Sequence, residues 1–440
     1  MNVDRCAALL ADLEPVRVRG RVRQAIGLVV QAEGLAVPLG AACDIRTAGG
    51  GAVPCEVVGF RDDVTLLMPL EELRGVRRGD EVLCRSQAQR VPVGRGLLGR
   101  VIDSRGVPID GGPLPATEEL RPLQAKAPAP LDRARILEPL GTGVRSIDAL
   151  LTCGKGQRLG LFAGSGVGKS TLLGMCARGT AADVTVIALV GERGREVREF
   201  IEKDLGPEGL RRSVVVVETS ERPALLRVRA PFAAMAVAES FRDAGLDVLL
   251  LMDSITRMAN AQREVGLSAG EPPATKGYPP SVFAQLPRLL ERAGRAGRGS
   301  ITGFYTVLVE GDDVNEPIAD TARSILDGHV WLSRDLALRG QYPAVDVLQS
   351  VSRLMTEVAT PEQADAARRV RELLAVHRDA EDLINVGAYV KGSNPDIDLA
   401  VEARPALLRF LKQGISEEST LEASRAALLE VVRPFLEKGR

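Results

Sequence analysis

Aromatic residues and histidines are scarce in this sequence of 440 residues. Phe, Trp and Tyr together account for 3% of it, there are two histidines, and Phe60 is the only aromatic residue before Phe162. Proteins that bind single-stranded nucleic acid stack bases on aromatic rings that are interleaved with positive charge. The first third of the chain offers no surface of that kind, so we expect no nucleic-acid partner.

Charge of one sign, paired cysteines and long apolar runs are lacking too. The 57 Lys and Arg residues balance 58 Asp and Glu residues, so no overall field attracts nucleic acid or a membrane surface. The six cysteines include no C-x-x-C pair and cannot form a zinc site with the two histidines at known spacings. The sequence shows neither a signal-peptide layout nor a run long enough to span a bilayer. These absences predict a soluble cytoplasmic protein with buried free thiols.

The strongest positive signal is a glycine-rich loop at residues 163–171. An apolar run at residues 158–162 precedes it and suits a buried strand, and a helical apolar pattern begins at Leu172. The loop amides and the helix N-terminus can bind phosphate, while Lys169 reaches the β- and γ-phosphates and Ser170 binds Mg²⁺. Its first residue is alanine where the usual pattern has glycine, a position that closes the turn and tolerates a methyl group. The nucleoside-triphosphate site is predicted to comprise Ala163, Gly164, Ser165, Gly166, Val167, Gly168, Lys169, Ser170 and Thr171.

Asp253 ends a leucine-rich run at residues 247–252. In phosphate-loop folds such a carboxylate lies in the Mg²⁺ shell beside the loop hydroxyl. An apolar strand followed by an aspartate is common elsewhere, and the pairing with the loop at 163–171 is what favours a metal role. Asp253 is therefore predicted to bind Mg²⁺ together with Ser170.

Glu192 and Arg193 follow a second apolar run at residues 184–190. Ligands of open α/β sheets bind at the carboxyl ends of the strands, so these charges are expected to face the nucleotide. Glu192 is better placed than Glu196 to polarise the attacking water. The alternative is a solvated turn with a surface ion pair worth under ~1 kcal/mol.

The remaining candidate residues are ambiguous on their own. Tyr342, one of four tyrosines, stands on a Tyr-Pro turn and could stack on an adenine, or it could be a core residue. Nothing local marks Arg353 as more than a surface arginine. The proline-rich residues 270–280 cannot form a helix or a central strand, and they are either a functional loop or a rigid connector.

The pattern of short elements predicts the fold class. Short apolar runs separated by turn signals from about residue 16 to 93 are typical of a small barrel or sandwich. Residues 104–130 indicate an irregular connector. Strand and helix patterns alternate over 137–351, which predicts a mostly parallel α/β sheet, and helical segments follow Thr360. The predicted domains are an N-terminal β-barrel (1–92), a P-loop ATPase core (93–357) and a C-terminal helical domain (358–440).

Taken together, these residues resemble the ATPases of bacterial type III protein export, which are similar to the catalytic β subunit of rotary ATP synthases. The loop at 163–171, Asp253 and residues 342–353 match in order and spacing. The match covers nearly the whole chain and is weakest over residues 1–15. It implies a RecA-like P-loop core between the barrel and the helical domain. Further matching segments are residues 56–60, 99–111, 191–196, 261–264, 270–280, 311–313, 325–329 and 381–387.

The resemblance also implies roles for the residues near the phosphates. ATP and Mg²⁺ bind between neighbouring subunits of a homohexameric ring. Lys169 and Ser170 then serve phosphate and Mg²⁺, and Asp253 serves the metal shell. Glu192 would activate the water, and Arg193 would lie beside the γ-phosphate.

Other implied roles lie farther from the chemistry. Tyr342, together with Phe410, would line the adenine-binding pocket. Arg353 would act in trans, as an arginine finger that reaches the neighbouring subunit's site and contributes roughly 10³–10⁵ in rate. Residues 270–280 would line the central pore, and residues 381–387 would face a coiled-coil stalk protein inside it.

Further partners follow from the resemblance. They are a stator-like regulator at the N-terminus, the membrane proteins of an export gate, and complexes of substrate with chaperone. The protein would then lie peripherally at the inner-membrane export apparatus. Residues 6–13 have apolar positions at helical spacing and could form a docking helix, with a frayed terminus as the alternative.

The leading hypothesis is a flagellar export ATPase that promotes unfolding, release and export of substrate proteins. Residues 270–280, 392–398 and 410–414 resemble flagellar enzymes. The first alternative is the injectisome ATPase, which residues 54–63 and 152–154 resemble more.

Three other functions are weighed against export. A catalytic subunit of a rotary ATP synthase would share the core, but residues 264–280 and 311–313 argue against it. A hexameric nucleic-acid translocase would need an aromatic, basic N-terminal module. A scaffold without turnover would not need the intact Lys169, Glu192 and Asp253.

Overall fold

In the computed structural model, which describes residues 18–86, 88–309, 313 and 316–436, the first six strands close into an antiparallel barrel. These strands are β1 (Arg19–Ile26), β2 (Val29–Glu33), β3 (Ala42–Arg46), β4 (Ala52–Arg61), β5 (Val64–Pro69) and β6 (Glu81–Ser86). Their order is β1-β2-β5-β4-β3-β6, and pairing of β6 with β1 closes the ring. Side chains alternate between interior and exterior along β4, so its inner face packs a small core. The structure therefore shows a closed barrel, whereas the pattern of short apolar runs alone was compatible with either a barrel or a sandwich.

The middle of the chain forms a nine-stranded sheet and two short two-stranded sheets, within the residues that the structure describes. Their strands are β7 (Arg90–Val93), β8 (Val101–Ile102), β9 (Glu119–Pro122), β10 (Pro139–Leu140), β11 (Cys153–Gly154), β12 (Arg158–Ala163), β13 (Val184–Glu192), β14 (Ser213–Thr219), β15 (Asp247–Asp253), β16 (Gly294–Ala296), β17 (Gly299–Leu308), β18 (Gly328–Leu332) and β19 (Val351–Ser352). The large sheet has the order β19-β18-β12-β17-β15-β13-β14-β8, with β16 paired to β17. From β18 to β8 all neighbours are parallel, as the sequence predicts.

Helices cover the sheet and complete the chain. They are α1 (Arg145–Leu150), α2 (Lys169–Gly179), α3 (Gly194–Glu199), α4 (Gly206–Arg211), α5 (Ala224–Asp243), α6 (Ile255–Ala269), α7 (Pro280–Leu290), α8 (Pro317–Ile325), α9 (Arg334–Leu338), α10 (Met355–Val358), α11 (Pro361–Asn385), α12 (Pro395–Leu411) and α13 (Leu421–Leu436). A π-helical turn, Phe200–Leu205, continues α3. Every residue of β13 is buried because helices cover both faces of a parallel sheet.

The start of α1 and the end of α2 approach at backbone distance. Gly143, with a φ of 80°, lies so close to Gly179 that a Cβ on Gly143 would stand 2.6 Å from the Cα of Gly179. Such a left-handed residue without room for a side chain must be glycine. The contact fixes α2, which carries Lys169, against the segment that precedes α1.

Two buried glutamines attach the C-terminal helices to α1. Gln363 of α11 donates from Nε2 to the carbonyl oxygens of Asp148 and Ala149, at 3.0 and 3.1 Å. Gln413, after α12, donates to the Gly143 carbonyl at 2.8 Å and accepts from the backbone N–H of Arg145 at 2.7 Å. The C-terminal helices and the sheet consequently share one polar junction as well as one apolar core.

The barrel shares part of its apolar core with the central part, since Val64, Leu66 and Met68 of β5 belong to the same buried cluster as the large sheet. Cavities of about 600 and 590 Å³ lie on the boundary between barrel strands and helices α5 and α6. The connector expected to be irregular over residues 104–130 contains β9, which pairs with β7. None of the helices in the described ranges has the length and apolar character needed to cross a membrane.

Candidate functional site

The glycine-rich loop lies between the end of β12 at Ala163 and the start of α2 at Lys169. Gly166 and Gly168 have φ values of 79° and 90°, which a side chain would strain. Because the loop follows the carboxyl end of β12, its amides and the first turn of α2 lie at the carboxyl edge of the sheet, where phosphate binds in such folds. The strand, loop and helix follow one another as the sequence predicts.

Lys169 lies between two carboxylates from neighbouring parts of the sheet. Its Nζ is 2.5 Å from Oδ1 of Asp253, at the end of β15, and 3.5 Å from Oε1 of Glu192, at the end of β13. Both carboxylates are buried, with 3% and 7% exposure. The structure thus brings together three residues of which the first and last lie 84 positions apart in the sequence.

Asp253 is held by β17 as well as by Lys169. The hydroxyl of Thr306 donates to Oδ1 of Asp253 at 2.7 Å and lies 3.2 Å from the carbonyl oxygen of Met252. The oxygens of Asp253 and of Ser170, the residue after Lys169 in α2, are hard donors that suit Mg²⁺, which is usually bound by one or two side chains together with phosphates and water. The described residues contain no cluster of three or more His, Cys, Asp or Glu side chains that could hold a metal alone.

Glu192 has an altered acidity. Burial, together with the nearby charge of Asp253, raises the pKa of Glu192 from 4.5 to about 7. The ammonium of Lys169 and the guanidinium of Arg257 act in the opposite direction and lower that pKa. A buried carboxyl with a pKa near neutrality suits a general base, because both protonation states are accessible at the working pH.

Arg257 is a site residue that the sequence reasoning missed. Its Nη2 is 3.1 Å from Oε2 of Glu192, and its Nη1 donates to the carbonyl of Gly191. It stands in the first turn of α6, where Ser254 caps the helix by accepting from the N–H of Arg257 at 3.3 Å. A helix that starts directly after Asp253 directs the residue at i+4 back over the strand end, and this spacing could have identified Arg257.

Arg193 lies at the rim of the site. Its side chain is 75% exposed, and its guanidinium is 3.5 Å from Oε1 of Glu196. Glu196 also hydrogen-bonds Glu192 and raises its pKa. Arg193 is thus connected to Glu192 through Glu196.

Tyr342 and Phe410 differ in exposure. The ring of Tyr342 borders the phosphate loop, with ring carbons 3.6 Å from the position a Cβ would take on Gly168, and the residue is 48% exposed. Phe410 is 6% exposed and packs in the core that α12 shares with the sheet. The two are linked through the backbone, because Gln413, three residues after Phe410, donates its N–H to the Tyr342 carbonyl at 2.9 Å. Tyr342 is thus the more accessible of the two rings.

Arg353 lies at the opposite end of β12 from the phosphate loop. Its backbone N–H donates to the Asp327 carbonyl at 3.0 Å, and its Nη2 donates to the Arg323 carbonyl at 3.4 Å. At about 3.3 Å per residue, β12 separates the two ends by roughly 17 Å. Arg353 cannot reach the phosphate loop of its own chain. A cavity of about 420 Å³ beside it is lined by Arg133, Arg135, Arg158, Arg295, Arg353, Asp327 and Glu357.

The segments that the sequence assigned to partners are only partly described. Residues 270–280 form a loop with one 3₁₀ turn, Thr275–Gly277, and the hydroxyl of Tyr278 donates to Asn260 Oδ1 at 2.9 Å. The end of α11 exposes Leu383 and Val386. Residues 6–13 and 311–312 lie outside the described residues.

Three family models match the chain. The nucleotide-binding domain of the ATP synthase alpha/beta family matches residues 143–352, and its beta-barrel domain matches residues 22–85. The T3SS EscN ATPase C-terminal domain matches residues 359–430. Together the models account for the sheet, the barrel and the C-terminal helices.

Curated relatives match over almost their whole length. A flagellum-specific ATP synthase of Bacillus subtilis is 56% identical over 411 residues, which are 93% of this chain and 94% of the relative. A protein of the same name from Salmonella typhimurium is 52% identical over 438 residues, 97% and 96% of the two chains. A type 3 secretion system ATPase of Xanthomonas euvesicatoria is 50% identical over 423 residues, 96% of each.

Solved structures agree with the fold. The assembled ATPase EscN from the type III secretion system of enteropathogenic E. coli has a TM-score of 0.90 and 45% identity, and the match covers 94% of this chain and 100% of that one. EscN in complex with its central stalk EscO gives a TM-score of 0.87 and 44% identity with the same coverage.

Proposed function

We propose a function that proceeds from one premise: the chain belongs to the ATP synthase alpha/beta family and, within it, to the ATPases of type III protein export. It is an ATPase, and the identities of 56% and 52% to flagellum-specific enzymes support flagellar export as its process. The injectisome remains the second candidate because a type 3 secretion system ATPase is 50% identical over 96% of the chain.

The observation that carries the chemistry is the position of Lys169 between Asp253 and Glu192, directly after the glycine loop. We propose that the loop amides and Lys169 bind the β- and γ-phosphates of ATP. Ser170 and Asp253 would hold Mg²⁺, which neutralises charge on the phosphates when it is bound. Ionised Glu192 would accept a proton from the attacking water, and this role requires its deprotonated form.

The residues around this centre would orient the nucleotide. Arg193 would approach the γ-phosphate from the rim, which its exposed guanidinium permits. Tyr342 would stack on the adenine beside Gly168, with Phe410 supporting it from the core. Each of these contacts would order ATP without taking part in proton transfer.

The position of Arg353 supports a ring. An arginine at the far end of β12 from its own phosphate loop could contact nucleotide only in a neighbouring subunit, and the arginine-lined cavity around it would present positive charge to the neighbour's phosphates. We therefore propose a homohexamer in which Arg353 acts in trans, with domains at 1–92, 93–357 and 358–440. EscN, with the same fold, has been solved in an assembled form and with its central stalk.

The remaining proposed partners would bind around that ring. Residues 270–280 would line the pore, and residues 381–387 would face a coiled-coil stalk protein, whose contact the exposed Leu383 and Val386 would favour. A stator-like regulator would bind the N-terminus. Export-gate membrane proteins and substrate–chaperone complexes would be met at the cytoplasmic side of the inner membrane.

The test is ATP hydrolysis per subunit over a wide range of protein concentration, for the native chain and for Arg353→Ala. We expect specific activity to rise with concentration and to fall by at least 10³-fold in the variant, because removal of an arginine finger costs that much. Arg198→Ala, at an exposed arginine paired with Glu202, is the matched control and should stay within twofold. Full activity in Arg353→Ala would refute the shared site.

A further inference from the structure

We propose that Asp327 and Arg158 are positioning residues for Arg353, and that they fix it to the same strand that carries the chain's own phosphate loop. This inference rests on the proposed role of Arg353 in a neighbouring subunit's site. Neither residue would touch nucleotide. They would instead fix the backbone position of Arg353 on the surface that faces the neighbouring subunit.

The carboxylate of Asp327 is fully engaged by Arg158. The guanidinium of Arg158 donates from Nε to Oδ2 and from Nη2 to Oδ1 of Asp327, both at 3.0 Å, and its backbone N–H donates to Oδ2, also at 3.0 Å. The N–H of Asp327 in turn donates to the Arg158 carbonyl at 2.9 Å. A bidentate pair with two additional backbone bonds allows little rotation, so Asp327 has a fixed place at the start of β12.

A second contact extends this fixed place to Arg353. The carbonyl of Asp327 accepts the backbone N–H of Arg353 at 3.0 Å. Gln157, the residue before Arg158, donates from Nε2 to the hydroxyl of Ser352 at 3.0 Å, and that hydroxyl donates to the Thr152 carbonyl at 2.9 Å. The short strand β19, which precedes Arg353, is therefore held at two points to the residues that begin β12.

The guanidinium of Arg353 is freer than its backbone. Among the described residues, its guanidinium makes one hydrogen bond, from Nη2 to the Arg323 carbonyl at 3.4 Å. The guanidinium of such a long side chain can reach across an interface while the Cα atom that carries it keeps its position. Catalytic groups are sensitive to such placement, since a misplacement of 1 Å can cost about 10²-fold in rate.

Strand β12 gives this arrangement a second consequence. It begins at Arg158 and ends at Ala163, where the phosphate loop starts. One strand of six residues therefore connects a subunit's own phosphate loop to the pair that positions the arginine it offers to its neighbour.

The opposite edge of the sheet supplies a matched control. Asp110 accepts two bonds from Arg100, at 2.7 and 2.8 Å, and a third from the N–H of Val101 at 3.0 Å. This is the same bidentate arrangement with a backbone bond, but it is placed at β8, whereas Arg353 follows β19 at the other edge. Asp110→Asn therefore reproduces the local damage of Asp327→Asn without affecting Arg353.

The first experiment measures kcat and KM of the oligomer for both variants. We expect Asp327→Asn to lower kcat by about 10²-fold with KM for ATP within twofold, and Asp110→Asn to change neither by more than twofold. The double variant Asp327→Asn/Arg353→Ala should be no slower than Arg353→Ala alone. Additive losses, or equal losses for the two Asn variants, would overturn the inference. If Asp327→Asn fails to fold, Arg158→Lys replaces it, since lysine keeps the charge and loses the bidentate geometry.

A mixing experiment separates this inference from the proposed function. Subunits with Lys169→Ala lack their own site but keep Arg353, so they should restore hydrolysis when mixed with subunits carrying Arg353→Ala. They should equally restore it when mixed with Asp327→Asn. Failure of the first mixture would refute the role of Arg353 in trans. Success of the first and failure of the second would refute the positioning role alone.

Discussion

The ionisation of Glu192 is the residue-scale property with the clearest kinetic consequence. Burial and Asp253 raise its pKa to about 7, and a general base acts only when it is deprotonated. We expect kcat/KM for ATP to rise with pH through about 7 and to level off above it. A profile from pH 5.5 to 9 measures this, and a rate that falls with pH across that range would contradict the assignment.

Arg257 provides the control for that profile. Its guanidinium, 3.1 Å from Glu192, favours the ionised carboxylate and so lowers its pKa. Arg257→Met should move the rising limb to higher pH, whereas Met at the exposed Arg198 should leave it in place. An unchanged limb in the Arg257 variant would mean that Glu192 is not the titrating group.

Some of the site could be predicted from single positions and some could not. The sequence predicted Lys169, Asp253 and Glu192 because each follows a recognisable strand or loop signal. Thr306 carries no such signal, since its contact with Asp253 depends on the register between β15 and β17. Pairing of distant strands is a property of the whole sheet, which a local motif does not contain.

At the scale of elements, the contact between α2 and the segment before α1 decides how firmly the phosphate loop is held. Gly143 and Gly179 meet there with no space for a side chain. Because α2 begins at Lys169, any movement of its C-terminal end tilts the helix that supports the loop. The geometry of phosphate binding thus depends on a contact ten residues away along the helix.

Two glycines with the same φ test this contact. Gly143→Ala should destabilise the fold by roughly 2–5 kcal/mol, because left-handed strain adds to a clash with backbone that cannot move away. Gly277→Ala, also at a φ of 80° but with nothing within 4 Å, should cost about 1–2 kcal/mol. Urea unfolding of both variants measures the difference. Equal losses would show that backbone strain alone, and not close packing, requires Gly143.

Whether a segment forms a strand was easier to predict from the sequence than the strand with which it pairs. The alternating pattern of residues 16–93 predicted short strands but left barrel and sandwich open, because closure depends on pairing between β1 and β6. The connector at 104–130 was predicted to be irregular, yet it contains β9, which pairs with the distant β7. Proline and glycine signals describe local conformation and do not report a strand formed by a distant partner.

At the scale of the whole molecule, Gln363 joins the C-terminal helices to the α/β sheet. Its Nε2 has three acceptors within 3.1 Å, and its Oε1 accepts from Arg425 Nε at 2.6 Å. The residue is fully buried. Every polar atom of its side chain thus has a partner, and loss of the amide would leave several buried groups unpaired.

We expect Gln363→Leu, which keeps the volume, to destabilise the junction by about 1–3 kcal/mol. The C-terminal helices should then unfold at a lower denaturant concentration than they do in the native chain, and before the sheet. Denaturant unfolding followed by circular dichroism and by hydrogen exchange measures this, with Leu at the exposed Gln24 as the control. A single transition at an unchanged midpoint would mean that the apolar core alone holds the helices in place.

The order of strands in the large sheet has a consequence during biosynthesis. In space β17 lies between β12 and β15, although it is synthesised after both. A ribosome adding about 5–20 residues per second completes the phosphate loop roughly 7–27 s before it completes β17. During that interval β12 lacks its neighbour β17, and β15 and Asp253, once they have been made, still lack β17 and Thr306. The complete site, and any stabilisation that bound nucleotide gives to it, is therefore available only after β17 has been made.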